Sequence, residues 1–190
     1  MRLQLADFLI KTGAVPEAFR EVMRWNAEQL HPEDEQLLAS WPGTLRLELH
    51  GLGELLFCHA TPRNDTEAFT RLTPEDRLLP IFAGLDVATV ICGHTHMQFD
   101  RTIGRVRVVN AGSVGMPFQE PGAYWLLLGP SVQLRQTAYD LAKAAERIRD
   151  TKYPQAEDFA ARNVLHPPSE GETLQAFSRV ELDSKRLIRG

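Results

Sequence analysis

The tetrapeptide Gly93-His94-Thr95-His96 places two imidazoles one residue apart, directly after the β-branched positions Val87, Val90 and Ile91. Valine and isoleucine favour a strand, and the glycine permits a sharp exit from it. The histidines therefore fall at the carboxyl end of a predicted strand, where α/β folds usually keep their chemistry. Imidazole is the commonest protein ligand for a metal, and two at i and i+2 in a near-extended segment can face one side. The competing reading is a turn whose histidines only bond backbone carbonyls. For an isolated His-x-His, that reading is the better one.

Two further segments shift the balance. Residues 54–58 form an apolar strand that runs into His59-Ala60-Thr61-Pro62-Arg63-Asn64-Asp65, again a histidine followed by turn formers. Residues 106–110 form another, leading into Ala111-Gly112-Ser113-Val114-Gly115. Three strand ends carrying His59, His94 with His96, and Asn110 with Gly112 and Ser113 can converge on one edge of a sheet. In the loop after His59, Arg63 could hold a substrate phosphate through its guanidinium fork, with Asn64 beside it. An equal alternative pairs Arg63 with Asp65 or Glu67. Cys58 and Cys92 each lie close before a candidate histidine. They read as small buried hydrophobes closing their strands, with a thiolate ligand or redox switch as the alternative.

Cys58-His59-Ala60-Thr61-Pro62, Gly93-His94-Thr95-His96 and Asn110-Ala111-Gly112-Ser113-Val114-Gly115 resemble the last three motifs of the calcineurin-like metallophosphoesterases, of the bacterial predicted-phosphodiesterase type. The resemblance spans roughly residues 15 to 140. It implies two stacked mixed sheets flanked by helices and two divalent metals, manganese or another transition metal, clamping a phosphate ester. It makes His59 and His94 ligands of one metal and His96 a ligand of the other. Asn110, Gly112 and Ser113 then back the site without coordinating, and Arg63 and Asn64 face the substrate. Three earlier motifs of the family, Asp-x-His, Gly-Asp with its bridging aspartate, and Gly-Asn-His-Asp/Glu, have no counterpart in this chain. The general acid and the bridging carboxylate are therefore unassigned.

The resemblance thus implies the C-terminal part of a phosphoesterase domain over residues 1–140, with a helical extension over 141–190. Three neutral imidazoles cannot offset two dications. The expectation is one metal bound well and impaired turnover by this chain. A catalytically inactive interaction module on the same fold is the alternative, and a mononuclear three-histidine zinc hydrolase a third.

The bulk properties suit this reading. A formal charge of −4 argues against a general nucleic-acid surface. The longest apolar run, around Leu126-Leu127-Leu128, is too short to span a bilayer, and the amino terminus has no secretory pattern, so a cytoplasmic location is the default. An oligomer is possible.

The elements that must position these residues follow from periodicity and breakers. Helices are predicted over 16–30 and from Pro32, the latter burying Leu37, Leu38 and Trp41. Leu45, Leu47 and Leu49 alternate as a half-buried strand, joined through Gly51 and Gly53 to residues 54–58. Thr73-Pro74-Glu75-Asp76 reads as N-cap, first-turn proline and acidic first turn of a helix ending at Gly84. That helix is the crossover that makes strands 54–58 and 87–92 parallel. Hairpins are predicted around Gly104 and Gly129-Pro130, and helices over 140–150, 154–159 and 172–177. A charged tail covers 181–190. The fold class is α/β, of mixed α+β character.

Overall fold

The computed structural model describes residues 6, 9–13, 15–179 and 182. The predicted charged tail, apart from Leu182, lies outside the described residues.

After a single 3-10 turn at Glu17–Phe19 come α1 (Arg20–Gln29) and α2 (Pro32–Ser40). β1 (Thr44–Leu49) and β2 (Gly53–Cys58) form an antiparallel hairpin whose turn needs positive φ at Gly51 and Gly53. The crossover helix α3 (Glu75–Phe82) leads to β3 (Thr89–Cys92), which pairs parallel to β2 as predicted. β4 (Phe99–Ile103) and β5 (Val106–Asn110) form the next hairpin, and β5 returns parallel to β3. The resulting mixed sheet has five strands in the order β1-β2-β3-β5-β4. β6 (Ala123–Leu128) and β7 (Val132–Thr137) make a separate two-stranded antiparallel sheet.

Register explains the main core. Leu56, Val90 and Val108 are direct neighbours across β2, β3 and β5, so one face of the sheet carries a continuous apolar row. Leu78, Ile81 and Phe82 of α3 pack onto that row together with Phe69, Phe99 and Ile103. Phe69 meets Phe82 and Phe99 edge-on, with ring centroids 5.5 and 5.7 Å apart. The helix N-cap is Pro74 rather than Thr73, whose hydroxyl accepts the Thr70 N–H inside the preceding turn.

The C-terminal segment builds a smaller core of its own. Asp140 caps α4 (Leu141–Arg149), and α5 (Ala156–Phe159) runs on into a π-turn over Ala160–Leu165. Leu141, Ala144, Ala145 and Ile148, the stripe predicted from spacing, meet Ala160 and Val164 there. α6 (Glu170–Phe177) starts at Ser169, which forms a capping box with Glu172.

The predicted burial of α2 also fails. Leu37, Leu38 and Trp41 are not a buried side of α2 but stand exposed, as do Leu45 and Leu47 of β1. Periodicity marks which face is apolar, not whether anything covers it.

Phe69→Ala removes a ring that is 2% exposed from the centre of the main core. Equilibrium urea unfolding should show a loss of about 3–5 kcal/mol.

Candidate functional site

The parallel register fixes where the candidate residues lie. Phe57 is level with Ile91 and Cys92 with Asn110, so the carboxyl tips of β2, β3 and β5 end side by side. His59, Gly93-His94 and Asn110-Ala111 follow directly. Hydrogen bonds stitch these tips together. The Gly93 N–H donates to the His59 carbonyl at 2.9 Å, and the Ala111 N–H donates to the Cys92 carbonyl at 2.9 Å.

Asn110, fully buried, is the central tie. Its amide nitrogen donates to the Gly93 carbonyl at 2.6 Å and to Thr95 Oγ1 at 3.1 Å. Its Oδ1 accepts the Gly112 N–H at 2.9 Å. Gly112 has φ +81°, and a Cβ there would lie 2.8 Å from both Gln98 Cγ and Tyr124 Cβ, so only glycine fits. Ser113 Oγ accepts the Met116 N–H, and the Phe118 N–H donates to the His96 carbonyl. The glycine-rich loop is therefore folded against the histidine loop from below.

That histidine loop is not near-extended as the sequence suggested. His94 and His96 both have positive φ, +65° and +56°. Left-handed backbone is unfavourable for a side chain with a Cβ and persists only where the surroundings dictate it. Here Asn110, Gly93 and Thr95, which is 1% exposed, dictate it.

Two of the three rings come together. His94 Nδ1 lies 3.2 Å from His59 Nε2, one donating to the other, with ring centroids 5.0 Å apart. His96 stacks on Phe118 at 5.1 Å and 29°. Two ring nitrogens, His94 Nε2 and His96 Nδ1, are buried without a hydrogen-bond partner. Buried polar atoms are nearly always paired, so these two nitrogens in one loop are exceptions.

Electrostatics agree. Burial holds the His94 imidazole below its ordinary 6.5, and charge on His59 and His96 depresses it further against weaker opposition from the Thr66 backbone and Asp65. His96 is likewise lowered by burial, with the Met116 backbone opposing and His59 adding to the shift. His94 and His96 thus favour the neutral form, the one that can donate a lone pair to a cation.

The donor set fits only part of a metal centre. His59 and His94 are adjacent, and His94 and His96 each keep an unpartnered ring nitrogen. Among the described residues, however, no group of three or more His, Cys, Asp or Glu is placed to hold a metal ion. Sulfur does not help. Burial pushes the Cys58 thiol up to about 12, and burial followed by the Cys58 charge pushes Cys92 well above its ordinary range. Burial thus favours the neutral thiol at both positions, as for small apolar residues.

The loop after His59 is tightly organised. Arg63 makes a bidentate pair with Glu67, Nε to both carboxylate oxygens at 3.1 Å and Nη2 to Oε1 at 2.8 Å. Burial raises the Glu67 carboxyl, but bonds from Arg63 and Thr61 outweigh it and hold the group below the usual range. Asn64 Oδ1 accepts from Thr66 N, Thr66 Oγ1 and Glu67 N, an Asx turn. A cavity of about 410 Å³ opens here, lined by Gly43, Thr44 and residues 61–65. None of the three histidines lines it.

Phe118, Thr95 and Gln98 were not singled out from the sequence. Gln98 donates to the carbonyls of Ala111, Trp125 and Arg135, tying the loop to the β6-β7 sheet. A single glutamine or phenylalanine in a loop carries no motif, so nothing in the residue order announced them.

The calcineurin-like phosphoesterase superfamily domain matches residues 25–129 of this chain. A crystal structure of a hypothetical protein from Pyrococcus horikoshii OT3 superposes with a TM-score of 0.69 at 20% identity, covering 88% of this chain and 66% of that one. A metallophosphoesterase from Sphaerobacter thermophilus gives 0.54 at 20% identity, covering 75% and 67%. At such identity the likeness establishes the fold. The chain spans about two thirds of the length of these solved structures. No curated protein matches the sequence.

Asn110→Ala should cost about 2–3 kcal/mol in chemical denaturation, because it strands buried partners at Gly93, Thr95 and Gly112. The lowered imidazoles set a pH dependence. The unfolded chain takes up protons near 6.5 while folded His94 and His96 resist until lower pH, so stability is complete above 6.5 and falls as the pH drops below it. Thermal melts at a mildly acidic and a mildly alkaline pH should show the lower midpoint in acid, and His94→Gln with His96→Gln should flatten the difference. An unchanged slope in the double variant would refute the assignment.

Proposed function

The chain belongs to the calcineurin-like phosphoesterase superfamily, and from that premise we propose that it hydrolyses a phosphate ester with a divalent metal held by His59 and His94, His96 serving a second metal position. The observation that carries this reading is the pair of buried, unpartnered ring nitrogens on His94 and His96, beside a third imidazole at hydrogen-bond distance. When bound, such a metal supplies Lewis-acid polarisation of the phosphoryl group and acidifies the attacking water. Manganese or zinc suits imidazole donors.

The chain's own residues then have distinct tasks. His59 and His94, adjacent on neighbouring strand tips, would hold one cation in place of their mutual hydrogen bond. His96, stacked on Phe118, would serve a second. Asn110, Gly112 and Ser113 hold the histidine loop in its left-handed form and touch neither metal nor substrate. Arg63, whose Nε and Nη2 are engaged by Glu67 at the edge of the cavity, keeps Nη1 for a phosphate oxygen. The Asn64 oxygen is already engaged, so any contact of Asn64 with substrate falls to its amide nitrogen. Asp65 is the carboxylate whose charge reaches His94, and it is exposed. Three neutral imidazoles with so little negative charge nearby favour one well-bound dication over two.

Calorimetric titration of the metal-free chain with manganese or zinc should show one tight site per chain, lost in His94→Ala. Hydrolysis of bis-p-nitrophenyl phosphate should require the metal and fall about tenfold or more in His59→Ala or His94→Ala. Metal-independent hydrolysis, or hydrolysis indifferent to all three histidines, would overturn the proposal.

A further inference from the structure

β1 is the outer strand of the five-stranded sheet, and among the described residues no strand lies on its far side. Leu45 and Leu47 are 57% and 44% exposed. A free row of backbone N–H and C=O groups beside exposed leucines is a template for strand addition. The sequence of this strand, Thr44-Leu45-Arg46-Leu47-Glu48-Leu49, indicates which strand fits it.

Antiparallel pairing of β1 with a second copy of itself, centred on Leu47, closes on its own two-fold axis. Leu47 then faces Leu47 of the second copy, and Leu45 faces Leu49. Arg46 faces Glu48 of the second copy, and Glu48 faces Arg46. The odd positions extend the exposed leucine face, and the even positions form two symmetric ion pairs on the other face.

The charges inside one copy make this pairing specific. In the β1–β2 register Glu48 stands directly opposite Glu54, a like-charge neighbour that disfavours the hairpin. Arg46 relieves Glu54, at 2.8 Å, and also binds Asp86 at 2.6 Å. Among the described residues Glu48 itself has no ion-pair partner. In the paired arrangement Arg46 of the second copy supplies the missing cation.

We propose that the chain self-associates through β1, making one sheet continuous across two copies. The test is the association state, measured by sedimentation equilibrium up to near-millimolar concentration. The wild-type chain should dimerise. E48R and R46E should each weaken the dimer about tenfold or more, because each variant sets like charges opposite one another at both symmetric positions. An equimolar mixture of the two variants should dimerise again, since the altered charges are complementary between them. Circular dichroism checks that each variant is folded. Among the described residues E48R disturbs no ion pair within the copy, and it carries the test alone if R46E does not fold. A wild-type chain that stays monomeric, a dimer insensitive to E48R, or folded variants whose mixture stays monomeric would each overturn the proposal.

Discussion

A single buried amide holds the site together. Asn110 binds Gly93 and Thr95 on one side and Gly112 on the other, joining the tips of β3 and β5 and the loops that follow them. It can do so only because β2, β3 and β5 run parallel in one register, which ends three strands at the same level. A slip of one residue would turn every side chain to the opposite face, sending His59 and Asn110 away from each other. The apolar row Leu56, Val90 and Val108, locked under α3, resists that slip. Core packing and site geometry are thus one constraint.

Two costs accumulate in the loop that this scaffold supports. His94 and His96 adopt left-handed backbone, and each keeps a buried ring nitrogen without a partner. Either feature is unfavourable by roughly 1–3 kcal/mol, and neither helps the chain fold. Both have a clear use if the rings must stay neutral, desolvated and aimed at a ligand. The stacked Phe118 and the short His59–His94 contact hold the rings in that state. The C-terminal helices add a separate small core, and α6 reaches this region through Phe177, whose ring centroid lies 6.3 Å from that of Phe118.

Much of this was readable from residue order. The β-branched runs, the helix after Thr73-Pro74 and the glycines at 104 and 112 predicted the β-α-β crossover and the three converging tips. The histidines were identified from their place after strands. Their backbone was not, because the left-handed turn is imposed by Asn110 from another strand, which no local pattern encodes. Phe118 and Gln98 escaped notice for the same reason. Arg63 was left between a phosphate and a carboxylate, and only three dimensions show its fork closed on Glu67. The leucines and tryptophan of α2 and β1 carry the alternation of buried elements, yet they are open in the folded chain. Pattern reports amphipathicity; coverage depends on what else is present.

The central claim is that His59 and His94 share one cation. Long-range proton–nitrogen correlation spectra of the imidazole rings, recorded through a zinc titration, test it most directly. The account predicts that the ring nitrogens of His59 and His94 shift together with one apparent affinity, while His31, His50 and His166 stay in place. Independent titration of these two rings, or equal shifts at the other histidines, would contradict it.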